Sequence, residues 1–401
     1  MSVESTTAGE KQKSTGGMHP YIPYGRQWID EDDIKAVVDV LRSDWLTTGP
    51  KVEEFEKEFA HITGAGEAVA LSNGTAALHA IMHAIGIGPG DEVIVPPITF
   101  VATANAVVFQ GGTPVFADVD PGSLLIDPEE VQRRITPRTK AVVAVDYAGQ
   151  PCNYDALRAM TDRHGITLIA DACHSLGARY RGEKVGTLAD MTAFSFHPVK
   201  HITAGEGGVV TTNDTKLADK MRRFRNHGID SDHRQRGELG AWYYEMVDLG
   251  YNYRITDFQC ALGLSQLRKL PNWLVRRQEI AQQYNKAFSG IQGILPLTIA
   301  PEVNHAYHLY VISCCPNGSD TNRGELFAKL HEKGIGANVH YIPVHLHPFY
   351  QGRFGYRKGN YPNAENAYER IITLPLFPRM GERDVRRVID AVVLIAEAYA
   401  A

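Results

Sequence analysis

Between Ala68 and Val210 the chain repeats one pattern: a short run that is apolar throughout, a break rich in glycine or polar residues, then a longer segment with apolar residues at helical spacing. "AVALSNG" leads into "TAALHAIMHAIGI", "DEVIVPP" into "FVATANAVVFQ", "TPVFADV" into "DPEEVQRRI", and "KAVVAVDYAG" into "YDALRAMTDRHG"; "ITLIADA" and "TAFSF" follow as further strand-like runs. Strands without polar alternation are covered on both faces, so the pattern predicts an α/β fold with a mostly parallel, twisted sheet between helical layers. Ligands of such sheets bind beyond the carboxyl ends of the strands. The residues there are Ser72, Asn73, Gly74 and Thr75 after the first run, Thr99 and Phe100 before a later helix, Asp171, and Ser195 through Lys200.

Beyond Val210 the pattern changes. "TKLADKMRRFRNHG" reads as a helix, and the Arg-rich stretch Asp230 to Gly240 as a mobile loop. Pro271 is expected to separate "DFQCALGLSQLRKL" from a long helix "NWLVRRQEIAQQYNKAF". This divides the chain into a disordered tail (1–20), a large domain (21–270) and a smaller C-terminal α+β domain (271–401). "GIGPG" (Gly86 to Gly90) follows a helix rather than a strand, so it reads as a helix stop and not as a dinucleotide-binding turn of an oxidoreductase.

Composition narrows the function classes. A 401-residue chain that is 44% hydrophobic supports a large core, and a net charge of −5 without a basic block argues against nucleic acid as a partner. No run is long and apolar enough to span a bilayer, and the polar first seventeen residues lack the apolar core of a signal peptide. Five scattered cysteines without a Cys-x-x-Cys pair fit a reducing cytoplasm. The histidines of "NVHYIPVHLHPFY" (His340, His345, His347) have neither a helical His-x-x-x-His spacing nor a carboxylate near in sequence, so no metal site is expected.

Chemistry gathers at the strand ends. Asp171 closes an apolar run, and a poorly hydrated carboxylate calls for a cation. Lys200 ends the next run and can reach the same crevice; taken alone, the two predict an internal ion pair. "SNGTAALHA" places free backbone N–H groups and a helix dipole where a phosphate would bind, although Thr75 alone would read as an ordinary cap. Ser195 can add a hydroxyl and Phe100 a flat apolar face. Amine, acid, phosphate anchor and aromatic face together are what pyridoxal 5'-phosphate requires for its Schiff base, its protonated ring nitrogen, its phosphate and its ring.

The motifs "WLTTGP", "SNGTAALHA", "ITFVATAN", "DACHSLGA", "FSFHPVKHITAGEGG" and "GYNYRITDFQCALGLSQL" occur in this order, and from about Pro23 onward the chain resembles the DegT/DnrJ/EryC1/StrS family of sugar-nucleotide aminotransferases. The resemblance implies a fold type I pyridoxal-phosphate-dependent transferase. It casts Lys200 as the Schiff-base lysine, Asp171 as the partner of the ring nitrogen, His174 as the partner of the phenolic oxygen and Phe100 as the stacking aromatic. Gly74, Thr75, Ala76 and Ser195 would form the phosphate cup. Asn252 or Arg254 would reach the neighbouring subunit's cofactor in a homodimer with shared active sites. Arg26, Thr47, Thr48, Gly49, His308, His340 and Tyr341 are the implied sugar-nucleotide contacts. L-Glutamate would be the donor, with pyridoxamine phosphate as the intermediate. The acceptor implied is a UDP-linked 4-keto-6-deoxy N-acetylhexosamine of the pseudaminic acid pathway. The alternatives are UDP-4-amino-4-deoxy-L-arabinose and GDP-perosamine type amination, or a cofactor-binding regulator without turnover. Lys200 argues against a dehydratase of the same fold, which would need a residue there that forms no imine.

Overall fold

The computed structural model describes residues 20–230, 240–314 and 322–400. All but the last residue of the expected tail, and the polar stretch between Asp230 and Gly240, lie outside the described residues.

Seven strands form the central sheet: β1 (Glu67–Leu71), β2 (Glu92–Val95), β3 (Thr113–Phe116), β4 (Thr139–Val145), β5 (Thr167–Asp171), β6 (Met191–Ser195) and β7 (Gly208–Thr212), in the order β1-β7-β6-β5-β4-β2-β3. β7 runs antiparallel to both neighbours and the other pairs are parallel. A parallel return needs a crossover, usually helical, and the segment between β6 and β7 contains no helix, so β7 must fold straight back. All strands except β7 therefore point their carboxyl ends toward one edge. That edge carries Ser72, Asp146, Asp171 and Ser195.

Both faces of the sheet are covered. One core cluster joins Val93, Ile94, Val142 and Ile169, whose side chains alternate between the faces, with Ala77, Ile81 and Val107 of helices Gly74–Ala84 and Ala102–Phe109. The other packs Phe194, Ala70 and Val209 against Phe55 and Phe59 of helix Pro50–Thr63 and Leu264 and Leu267 of helix Asp257–Phe288. Pro50 suits the first helical position. The helix start there is capped from afar, because the buried carboxylate of Asp257 accepts from the N–H groups of Gly49 (2.8 Å) and Lys51 (2.9 Å).

Pro271 does not end a helix. Asp257–Phe288 is one continuous helix, and the boundary expected at 270/271 falls inside it. Proline removes one intrahelical hydrogen bond, yet Pro271 itself is exposed, and Leu267, Leu270 and Trp273 around it are buried. The second half of this helix joins a separate core with Ile294, Ile312, Leu326, Ile372 and Val388, around an antiparallel sheet of Ile294–Pro296, Tyr310–Cys314 and Ile371–Leu374. Ile22 belongs to that core as well, with its N–H donating to Gly334 O (2.9 Å) and its carbonyl accepting from Gly336 N (2.7 Å). Among the described residues no helix is long and apolar enough to cross a membrane.

Candidate active site

A cavity of about 910 Å³ opens at the carboxyl edge of the sheet. Gly74, Thr75, Ala76, Phe100, Asp171, His174, Ser195, Lys200, His308, His340 and Tyr341 of the expected site residues all line it. Lys200 follows the end of β6 in a turn closed by its own N–H to His197 O (2.8 Å). Asp171 is the last residue of β5, immediately beside β6. The anticipated ion pair is absent: among the described residues Lys200 makes no salt bridge, although Asp171 shares its cavity. Desolvation outweighs the attraction of Cys173 and Asp171 and pulls the Lys200 pKa down, so the amine is more readily neutral, with its lone pair free, than an ordinary lysine.

The helix start beside Lys200 is pressed against the sheet. A Cβ on Gly74 would lie 2.8 Å from Ser195 Cβ, and one on Gly208 would lie 2.4 Å from Asn73 O. Glycine at these two positions brings the free N–H groups of the first turn beside the Ser195 hydroxyl. The close approach at Gly208 is thus to the Asn73–Gly74 peptide. The Ala76 N–H is already taken by the Asn73 carboxamide (2.8 Å), so Gly74 N, Thr75 N, Thr75 Oγ1 and Ser195 Oγ are the donors left for an anion.

His174 faces Tyr341, whose hydroxyl lies 3.1 Å from its Nε2, and its ring lies 4.3 Å from that of His308. Burial pulls the pKa of both histidines well below the usual range, and the charge of Lys200 adds to this, so both rings are neutral. The buried Nδ1 atoms of His174 and His308 have no hydrogen-bond partner. His340 is committed within the protein: its Nδ1 lies 2.8 Å from Thr373 Oγ1 and its carbonyl accepts from Tyr147.

Other expected contacts lie elsewhere. Arg26 is exposed and lines a crevice behind Lys200. Thr48 and Arg254 line a separate cavity of about 560 Å³, where Arg254 donates to Asn226 Oδ1 (2.8 Å). Thr47 pairs with Thr256, Asn252 with Asn226, and the Gly49 N–H is spent on Asp257. His345 has a carboxylate near it in space, Glu365 at 2.9 Å, which a separation of 20 positions hides from a sequence reading. Among the described residues, no three His, Cys, Asp or Glu side chains gather where a metal could be held.

A family model described as the DegT/DnrJ/EryC1/StrS aminotransferase family matches residues 27–393. The chain belongs to that family. It is a sugar aminotransferase of the DegT group with a fold type I architecture. It is 45% identical to the spore coat polysaccharide biosynthesis protein SpsC of Bacillus subtilis over 93% of this chain and 96% of that one. Among solved structures, it is similar to the putative sugar aminotransferase Spr1654 of Streptococcus pneumoniae in its PMP form (TM-score 0.90, 33% identity, 94% of this chain and 100% of that one). It is also similar to Helicobacter pylori PseC, an aminotransferase of pseudaminic acid biosynthesis (TM-score 0.88, 34% identity, 94% and 100%).

The donor set of this DegT-family chain fits pyridoxal phosphate on its own chemistry: an unpaired amine, an acid, an orphaned buried imidazole nitrogen and a glycine-shaped anion cradle share one cavity. Sequence reasoning missed Thr103, Cys173 and Tyr253, which line the same cavity. "ITFVATAN" contains Thr103, but only the tertiary packing of its helix brings that hydroxyl to Asp171.

Proposed function

We propose that this aminotransferase moves the amino group of L-glutamate to the C4 keto carbon of a UDP-linked 4-keto-6-deoxy N-acetylhexosamine, giving a 4-amino sugar nucleotide of the pseudaminic acid type. Its cofactor is pyridoxal 5'-phosphate, cycling with pyridoxamine phosphate. The observation that carries the reading is Lys200, a desolvated amine that shares a cavity with Asp171 yet forms no ion pair with it. The similarity to PseC supports the choice of sugar.

Bound there, the cofactor supplies an electron sink for the carbon that loses and regains a proton. Lys200 would hold it and then act as base and acid in turn, its Nζ taking the proton from the glutamate Cα and in the second half-reaction delivering one to C4 of the sugar. Asp171 would keep the ring nitrogen protonated, and His174 Nδ1, buried without a partner, would bond the ring's phenolic oxygen. Gly74, Thr75 and Ser195 would hold the phosphate, with Phe100 against the ring at the cavity mouth. Tyr341 holds the His174 ring, and His308, beside it, would contact the sugar nucleotide.

A homodimer with shared sites follows from the same reading. Phe100 and Phe109 line the cavity mouth at 57% and 53% exposure, and Trp45, Leu46, Leu249 and Tyr251 are exposed too. Covering such apolar surface favours association, and Asn252 and Arg254, which lie outside their own chain's cavity, would serve the partner's. The enzyme would work in the cytoplasm, where the free thiols of Cys152, Cys173 and Cys260 stay reduced.

The test is to incubate the purified protein with L-glutamate and a panel of 4-keto UDP-, GDP- and dTDP-sugars and to identify products by mass spectrometry and NMR. A UDP-linked 4-amino N-acetylhexosamine is expected. Amination confined to a GDP- or dTDP-sugar, or to a UDP-pentose, would overturn the substrate assignment and leave the reaction class standing.

A further inference from the structure

We propose that Thr103 is a positioning residue for this reaction, its hydroxyl, backed by Thr99, orienting the Asp171 carboxylate toward the cofactor's ring nitrogen. The proposal rests on the reading of Asp171 given above. Thr103 and Thr99 are 0% and 2% exposed. Thr103 Oγ1 donates to Asp171 Oδ2 at 2.7 Å, and Thr99 Oγ1 lies 2.7 Å from Thr103 Oγ1. Each hydroxyl has one proton to give. An ionised carboxylate only accepts, so the Thr103 proton is committed to Asp171 and Thr99 must donate to Thr103. The chain of hydroxyls is therefore directional, and ends on the acid.

This use of the side chain departs from habit. Thr103 sits in the first turn of helix Ala102–Phe109, where a threonine hydroxyl ordinarily bonds a backbone group of its own helix. Here it bonds a carboxylate 68 positions away instead. The other carboxylate oxygen, Oδ1, accepts from the Cys173 N–H at 3.3 Å, a long bond, and the Cys173 thiol also bonds this carboxylate. Without Thr103 the carboxylate could rotate about its Cβ–Cγ bond, and one buried acceptor would lose its partner. Among the described residues the Thr103 hydroxyl bonds Asp171 and Thr99, so it serves the acid rather than a wider polar network.

Thr103→Val keeps the shape and removes the donor; Thr103→Ser keeps the donor; Asp171→Asn gives the reference. The readouts are the pH titration of the bound cofactor's absorbance, the cofactor Kd on reconstituting apoenzyme, kcat and KM for glutamate, and the thermal midpoint of the apoprotein. In Thr103→Val the titration is expected to shift in the direction seen for Asp171→Asn but less far. Its cofactor Kd should rise about tenfold, as for one hydrogen bond to a charged group, and kcat should fall more than KM changes. Thr103→Ser should restore all of these. If Thr103→Val does not fold, Thr99→Val carries the test, with a smaller shift in the same direction. A titration moved by Asp171→Asn but untouched by Thr103→Val, with only the thermal midpoint lowered, overturns the proposal alone. A titration untouched by both overturns the reading of Asp171 and the proposal with it.

Discussion

Replacing Gly208 by alanine adds one methyl group where there is no room for it. The new Cβ would lie 2.4 Å from Asn73 O, 2.6 Å from Asn73 C and 2.8 Å from Gly74 N, all backbone atoms. Ordinary contact needs about 3.5 Å, so the Asn73–Gly74 peptide must move by roughly 1 Å. That peptide is part of the anion cradle. Asn73 also caps the helix through its carboxamide to Ala76 N and its carbonyl to Ala77 N. Overpacking of this kind costs about 1–3 kcal/mol, and a displaced cap about 1 kcal/mol more. If the shift breaks one hydrogen bond to the cofactor phosphate, worth about 1.5–3 kcal/mol, the cofactor Kd should rise about 10- to 100-fold. Titration of apoenzyme with pyridoxal phosphate, followed by absorbance, measures the Kd, and thermal unfolding measures the stability. Gly205→Ala is the control: Gly205 has φ +77° with nothing within 4 Å of a Cβ, so alanine there adds backbone strain without touching the cradle. It should lower stability by about 1–2 kcal/mol and leave cofactor affinity alone. A Gly208→Ala enzyme with an unchanged midpoint and a Kd within about twofold of wild type would refute the packing argument.

Two further outcomes are expected. Lys200→Ala removes a desolvated amine that has no acidic partner, so the apoprotein should keep its stability to within about 1 kcal/mol while turnover and borohydride-fixable cofactor are lost; a large loss of apoprotein stability would show that Lys200 supports the fold. Asp146 is fully buried and accepts from Cys152 N (3.0 Å), Tyr154 Oη (2.9 Å) and Ser175 Oγ (2.6 Å); burial pushes its pKa up to about 7. Because the folded value is raised, the folded state binds the proton more tightly. Its contribution to stability is complete at about pH 4 and is lost as pH rises to about 7, at up to about 1.4 kcal/mol per pH unit. Asn mimics the protonated acid, so Asp146→Asn should match wild type in denaturant unfolding at or below about pH 4 and exceed it at pH 8; equal stability at both would refute the shift.

Alternating apolar runs and helical segments were enough to anticipate the parallel sheet, because burial on both faces leaves a mark within each strand. The anchors at the strand ends, Lys200, Asp171 and the Ser72–Thr75 turn, were legible for the same reason: in this architecture position along the chain already says which edge a residue occupies. Pro271 was misread because its cost is local, whereas Leu267, Leu270 and Trp273, packed against distant residues, hold the helix together around it.

The covalent chain determines which chemical groups are available and at which strand end each emerges; it does not determine their mutual distances. Only folding showed that Lys200 and Asp171 share a cavity without pairing, that Asn73 consumes the Ala76 N–H, that Gly208 is small for the sake of Asn73, and that Thr103 holds the acid. Those facts depend on contacts between segments tens to hundreds of residues apart. Hydrogen bonds and van der Waals contacts act over a few ångströms of space, and a one-dimensional pattern carries no record of which distant residues the packing will bring within that range.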